Sequence, residues 1–240
     1  MPYLAGARGR LHYRHWQLDR PQAVLALLPG VGQHSGHYHR FARALAAADI
    51  ELWALDTSGH GLSEGDPERP GILAELATDA GNFLDQVRTR ATAPLFLMGH
   101  SLGAATALAV LREAEPGDYT GLVLCGTPQA VLEGRSPKSA RGAAPSNPVR
   151  TRTLSRANAT LATENESDWP GPALPAGLPV LIVHGADDRR APIDPVRAWA
   201  HQVSAEFHLQ PDAGHDLLHE PGYAAVTTLV ADWIDTRTHG

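Results

Sequence analysis

Five consecutive residues, Gly99, His100, Ser101, Leu102 and Gly103, form a G-x-S-x-G pentapeptide between an apolar run and an Ala/Leu-rich segment of helical period. In that strand-to-helix context the serine sits on a sharp turn with its hydroxyl thrown clear of the sheet, which is the arrangement of a nucleophile for acyl transfer. Side chains two residues to either side of it would collide, and Gly99 and Gly103 avoid this. The helix begins immediately after the serine, so its free N–H groups and the positive end of its dipole face any oxyanion that develops there. The Leu102 amide is the expected first oxyanion donor.

A serine hydroxyl is a weak nucleophile at neutral pH and needs a base in hydrogen-bond reach, itself oriented by an acid. Two downstream stretches offer them. After the apolar run Val180 to Val183 comes His184-Gly185-Ala186-Asp187-Asp188, which puts carboxylates at the C-terminal end of a central strand, where open α/β sheets hold their sites. After the last apolar run comes Ala213-Gly214-His215, in a loop ahead of the closing helix. Of the 13 histidines, His215 is the one this placement selects as general base. The turn Leu28-Pro29-Gly30-Val31-Gly32-Gln33 follows an early strand and offers the Val31 amide as second oxyanion donor. Gly30, His34 and His100 are expected to contact substrate. His34, His37 and His39 could be read as a metal cluster, but no carboxylate-ligand motif follows them, and capping and surface exposure account for them without metal.

The elements that must position these groups read as alternating strands and helices, hence a mostly parallel sheet. Strands are expected at Arg10 to Gln17, Ala23 to Leu28, Glu51 to Leu55, Leu95 to Met98, Gly121 to Leu124, Val180 to Val183 and Glu206 to Gln210. Helices are expected at Tyr38 to Ala48, Gly71 to Arg90, Leu102 to Glu113 and Tyr223 to Ile234. In the second of these, Leu73, Leu76, Ala80, Phe83, Leu84 and Val87 share one face.

Gly134 to Gly177 breaks the rhythm, being rich in Pro, Ser, Thr, Asn and Arg, and reads as a short cap inserted into a core of residues 1–133 and 178–240. Leu154, Ala157 and Leu161 could form the stripe of one short lid helix. Arg135, Lys138, Arg141, Arg150, Arg152 and Arg156 run through it without an intervening acid, a pattern that is usually solvated but could also dock an anionic head group.

The whole chain has the opposite sign. Its 240 residues carry 20 basic and 26 acidic side chains, a formal net charge of −6, which argues against a general nucleic-acid-binding surface and for a small-molecule partner. Cys125 is the single cysteine and cannot form an internal disulfide, and the chain starts without a basic region leading into a long apolar stretch. A cytoplasmic protein is expected. No apolar run approaches the roughly 20 residues needed to span a bilayer.

Taken together, these segments resemble the monoacylglycerol lipase and lysophospholipase-like branch of the α/β-hydrolase fold. Pro29 to Tyr38 is similar to that family's H-G-x-G-E-H-S-x-x-Y segment, Asp56 to Ser63 to its D-x-x-G-H-G-x-S, and Gly99 to Gly103 to its G-H-S-x-G. The chain order Ser, Asp, His agrees with that fold. The resemblance implies Asp188, not Asp187, as the acid, with Pro192 also in its place. His215 matches the family's histidine loop, Glu220 its trailing glutamate, and Asp56, His60 and Ser63 the scaffold under the oxyanion loop. Three departures stand out: Pro29 replaces a histidine, Gln33 replaces a glutamate, and the segment between Thr127 and Leu178 is short for a cap. The reaction implied is hydrolysis of carboxylic esters through an acyl-enzyme, with no cofactor or metal, on short or medium acyl esters, monoacylglycerols or lysophospholipids. A thioesterase, a carbon–carbon hydrolase and a non-catalytic receptor would use the same frame.

Overall fold

The computed structural model describes residues 2–135 and 169–239. Eight strands, β1 (Tyr3–Gly6), β2 (Gly9–Trp16), β3 (Ala23–Leu28), β4 (Ile50–Leu55), β5 (Leu95–His100), β6 (Gly121–Cys125), β7 (Val180–Gly185) and β8 (Glu206–Gln210), form one sheet in the order β1-β2-β4-β3-β5-β6-β7-β8. β1 and β2 form an antiparallel hairpin and β2 runs antiparallel to β4, while β3 to β8 are parallel. The parallel strands therefore all deliver their C-terminal ends to one edge, where the groups singled out by the sequence collect.

Among the described residues, six helices pack around the sheet: α1 (His39–Ala46), α2 (Leu73–Arg88), α3 (Leu102–Leu111), α4 (Gln129–Leu132), α5 (Ile193–Gln202) and α6 (Tyr223–Thr238). Successive residues of a strand point to opposite faces, so the inner strands sort their side chains between two cores. Val24, Ala26 and Leu28 of β3, with Leu97 of β5 and Leu122 of β6, pack with Phe83 and Leu84 of α2, Leu108 of α3 and Val196 of α5. Leu25, Leu27, Phe96, Met98 and Val123 pack on the other face with Phe41 and Leu45 of α1 and Val226, Val230 and Ile234 of α6. Burial on both faces is why β3, β5, β6 and β7 read as continuous apolar runs instead of alternating ones.

Several expectations need adjustment. The first helix is preceded by a 3₁₀ turn, Ser35–Tyr38, because the His34 side chain accepts the Gly36 N–H and starts the coil early. β1, α4 and α5 add to the expected elements. α5 carries Pro195 within its first turn, a place where a missing N–H costs nothing, and its Val196, Trp199 and Ala200 are buried at helical spacing. Residues 169–177, expected within the cap, belong in part to the core. Trp169 is buried, its indole N–H donates to the Val131 carbonyl (2.8 Å), and the Arg112 guanidinium lies over its ring while donating to the Gly171 carbonyl. The polar composition of the insertion conceals this one large apolar side chain. Gly134 and Gly171 pass backbone to backbone, close enough that a methyl on Gly134 would lie 3.8 Å from the Gly171 nitrogen. The expected lid helix around Leu154, Ala157 and Leu161 lies outside the described residues, as do all members of the basic run except Arg135, which pairs with Glu133. None of the described helices is long and apolar enough to cross a membrane.

Candidate active site

β5 ends in His100 and α3 starts at Leu102, leaving Ser101 alone at the turn with φ +53° and ψ −113°. That conformation is costly for a residue with a side chain and is held by its surroundings. The Ser101 N–H donates to the Cys125 carbonyl of β6 (2.9 Å). The flanking glycines are needed for a concrete reason. A methyl on Gly99 would come within 2.5 Å of the Gly103 carbonyl oxygen, and one on Gly103 within 1.8 Å of the Leu28 oxygen. The second contact means that the C-terminal end of β3 passes directly over the start of α3, which brings the Pro29 to Val31 turn against the serine. Gly30 lies beside it: a methyl there would sit 3.2 Å from the Ser101 Cβ.

His215 Nε2 lies 2.8 Å from Ser101 Oγ, and His215 Nδ1 lies 2.8 Å from Asp188 Oδ2. The other oxygen of Asp188 accepts the N–H groups of Arg190 (2.8 Å) and Ala191 (2.9 Å). Burial alone would raise the Asp188 pKa, but the hydrogen bonds from His215, Ala191 and Arg190 outweigh it and hold the group below the ordinary carboxylate range. Asp187 is exposed, and its N–H is tied to the Ala213 carbonyl (2.9 Å), which locks the acid loop to the histidine loop. His184 donates from Nε2 to the Ala191 carbonyl (2.9 Å) and so closes the acid loop from beneath. Glu220 accepts from the Gly214 N–H (2.6 Å) and the Asp216 N–H (3.1 Å), bracketing His215 on both sides.

The first α3 amide, at Leu102, has no partner within its helix, as is general for a helix N-terminus, and the Val31 N–H makes no hydrogen bond among the described residues. Below the turn that follows β3, Asp56 accepts the Ser35 N–H (2.6 Å), the Leu62 N–H (3.0 Å) and a hydrogen bond with His12 Nδ1 (2.9 Å). Its burial opposes ionisation, yet these donors keep its pKa low. Ser63 donates to the Asp56 carbonyl and accepts from the His12 N–H, while His60 Nδ1 bonds the Ser58 carbonyl. His12 gave no sign in the sequence.

The expected substrate contacts divide. Gly30 lies beside the serine. His34 caps the 3₁₀ turn and lies against His37, the rings tilted by 41° with centroids 3.9 Å apart. His100 needs correcting: only 2% exposed, it engages Gln33 Oε1 (2.9 Å) and the His215 carbonyl (2.8 Å), so its ring is committed to protein groups and not open to a ligand. Burial, aided by the neighbouring His215, pushes its pKa down to about 4. No group of His, Cys, Asp and Glu suited to a metal ion occurs among the described residues.

A family model described as "Serine aminopeptidase, S33" matches residues 19–169, more than half of the chain. The chain belongs to this family. Within the S33 family it is a monoacylglycerol-lipase-like α/β hydrolase. It is 29% identical over 266 residues to the monoacylglycerol lipase of Mycolicibacterium smegmatis, a match covering 96% of this chain and 95% of that one. It is 36% identical to the human monoglyceride lipase over a stretch spanning 52% of this chain and 42% of that protein. Among solved structures, the fold is shared with a soluble variant of the Saccharomyces cerevisiae monoglyceride lipase in complex with a substrate analog. That similarity has a TM-score of 0.69 at 18% identity and covers 98% and 94% of the two chains. The monoacylglycerol lipase of Paleococcus ferrophilus superposes with a TM-score of 0.66 at 17% identity, covering 95% and 99%.

Proposed function

We propose that this S33-family protein hydrolyses carboxylic esters through an acyl-enzyme, with Ser101 as nucleophile, His215 as general base and then acid, and Asp188 as the group that orients the imidazole. The observation that carries this reading is the continuous chain from Ser101 Oγ through His215 to Asp188, with both links at 2.8 Å. His215 donates its Nδ1 proton to Asp188, which leaves the Nε2 lone pair directed at the serine hydroxyl. The similarity to two monoacylglycerol lipases adds support from outside the site.

In the first half-reaction Ser101 Oγ bonds to the ester carbonyl carbon, its proton passes to His215 Nε2, and the carbonyl electron pair moves onto oxygen. The Leu102 and Val31 amides donate to that oxyanion, a contribution worth roughly 3 kcal/mol per donor in sites of this kind. Collapse breaks the carbon–oxygen bond of the ester, and the alcohol departs with the proton from His215. Water then gives its proton to His215, attacks the acyl carbon, and releases the acid as Ser101 recovers its hydrogen. Asp188 remains ionised throughout and offsets the charge on the imidazolium. The cycle uses only the ester, water and these side chains.

The substrate class is an ester of short or medium acyl length, of the monoacylglycerol or lysophospholipid type. The short stretch available for a cap between Thr127 and Leu178 supports the smaller acyl groups. The test is intact-mass analysis after incubation with a fluorophosphonate, followed by turnover of p-nitrophenyl esters of increasing chain length. One adduct on the wild type and none on Ser101→Ala, together with loss of turnover in that variant, is the expected outcome; undiminished turnover by Ser101→Ala refutes the assignment. Thioester substrates in the same panel address the rival acyl chemistry.

A further inference from the structure

Gln33 stands where the resemblance calls for a glutamate, and its side chain meets four groups from separate stretches of the chain near the site. Its Oε1 accepts the Tyr38 hydroxyl (2.5 Å) and the Gly30 N–H (3.2 Å), and faces His100 Nδ1 at 2.9 Å. Its Nε2 donates to Asp216 Oδ1 (3.0 Å). The orientation of the amide follows from chemistry: the Gly30 N–H can only donate, so oxygen must face it, and the amino group must face the Asp216 carboxylate. A carboxylate in place of the amide would set two acceptors against each other at the Asp216 end.

His100 extends the network. Its Nε2 lies 2.8 Å from the His215 carbonyl, so both ring nitrogens face oxygens that accept. A neutral imidazole has a single N–H and can serve only one of them. Gln33 Oε1 already holds two donors for its two lone pairs, whereas the His215 carbonyl has no other donor among the described residues. The proton therefore belongs on Nε2, pointed at the His215 main chain. The resulting hydrogen-bonded path runs from Gly30 through Gln33 to Asp216, while His100, packed against Gln33 with its Nδ1 2.9 Å from Oε1, holds the same loop separately through the His215 carbonyl.

We propose that Gln33 and His100 are positioning residues that couple the oxyanion loop to the histidine loop, with His100 in its Nε2–H tautomer holding the His215 carbonyl and the Gln33 amide holding Gly30 and Asp216. This rests on the reading of Ser101, His215 and Asp188 given above. The coupling sets the Gly30–Val31 amides and the His215 ring relative to the same serine, so that a shift in one loop is transmitted to the other. Donor and acceptor are complementary at the Gln33–Asp216 contact, and reversing both ends should restore what reversing one destroys.

The experiment compares wild type, Gln33→Met, Gln33→Glu and the double variant that combines Gln33→Glu with Asp216→Asn, by p-nitrophenyl butyrate kinetics, fluorophosphonate labelling and melting temperature. Gln33→Glu is expected to lower kcat about tenfold or more with KM changed less than about twofold, since the loops that orient the reaction shift while the binding surface persists. Asp216→Asn in the double variant supplies a donor to the introduced carboxylate and should recover most of that loss. ¹⁵N NMR of the histidine rings in wild type should show His100 with its proton on Nε2 at neutral pH. A proton on Nδ1, a Gln33→Glu variant with wild-type kcat, or a double variant no better than the single one would each overturn the coupling. Gln33→Met, close in size, is expected to lose kcat as well, and a wild-type kcat there would have the same force. The NMR observation needs no turnover. If wild type forms no phosphonate adduct, the reading at Ser101 fails and the coupling with it; if it does and the variants match wild type, the coupling alone fails.

Discussion

Gly185 ends β7 directly beneath the histidine loop, and a methyl group there would lie 2.1 Å from the Gly214 carbonyl oxygen and 2.4 Å from the Ala213 oxygen. Ordinary contact for such a pair begins near 3.4 Å. Gly185→Ala must therefore push the loop back by about 1.3 Å, since both obstacles are backbone atoms and no flexible side chain can yield in their place. The next residue along is His215. Carried even 1 Å away from Ser101, its present 2.8 Å contact would lengthen to nearly 4 Å, past the range of a hydrogen bond. Misplacement on that scale costs about a hundredfold in rate, while the overpacking itself should destabilise by about 1–3 kcal/mol. The assay is kcat on p-nitrophenyl butyrate, with the rate of fluorophosphonate labelling as a second measure and urea denaturation to establish that the variant is folded. A folded Gly185→Ala protein with kcat within about threefold of wild type would refute the claim that the β7 terminus sets the position of the base.

Other perturbations separate the remaining parts. Asp188→Asn should preserve the fold but reverse the hydrogen-bond demand on His215 Nδ1, favouring the wrong tautomer and lowering kcat by about 10⁴, measured with the same ester. Trp169→Ala removes a buried indole and one of the donors to the Val131 carbonyl, for an expected loss of about 3–5 kcal/mol in urea unfolding; a loss below about 1 kcal/mol would show that residues 169–177 do not belong to the core. Acidification should destabilise the protein from about pH 6.5 downward. His37, His60, His100, His184 and His219 all have pKa values depressed chiefly by burial, so the unfolded chain takes up protons near 6.5 that the native chain refuses until lower pH, about 4 for His100. Their stabilising contribution is complete above pH 6.5 and is lost as pH falls. Asp79, whose pKa burial raises, acts in the opposite direction but is one group against five. A melting temperature that stays flat or rises between pH 7.5 and 4.5 contradicts this account.

Ser101, Asp188 and His215 were legible in the sequence as candidates because each follows a strand whose pattern is unambiguous. Once β5, β7 and β8 are assigned to a parallel sheet, the loops after them must meet at one edge, and local motifs then select the residue within each loop. Asp188 could be preferred to Asp187 only through the resemblance; in the structure the preference has a physical reason, because Asp187 is turned outward with its N–H held by Ala213. α5 was not among the expected helices; Pro192 and Pro195 stand at its start, where a first helical turn tolerates proline. The role of Gln33 was not legible. Its partners Gly30, Tyr38, His100 and Asp216 come from separate stretches, and no periodicity links them. His100 misleads for a related reason: its place beside the serine suggests a ligand contact, whereas burial depends on what packs over it from the β8 loop.

The pinned neck at Gly134 and Gly171, fastened by the Trp169 to Val131 hydrogen bond, bears on how relatives of this fold could diverge. Where two ends of a connection are already held together by the core, the chain between them can be lengthened, shortened or exchanged at an entropic cost that grows by only about 0.6 kcal/mol for each doubling of its length. Natural or engineered grafting at this junction could thus change the inserted sequence while the folding of the sheet stays almost indifferent to the change.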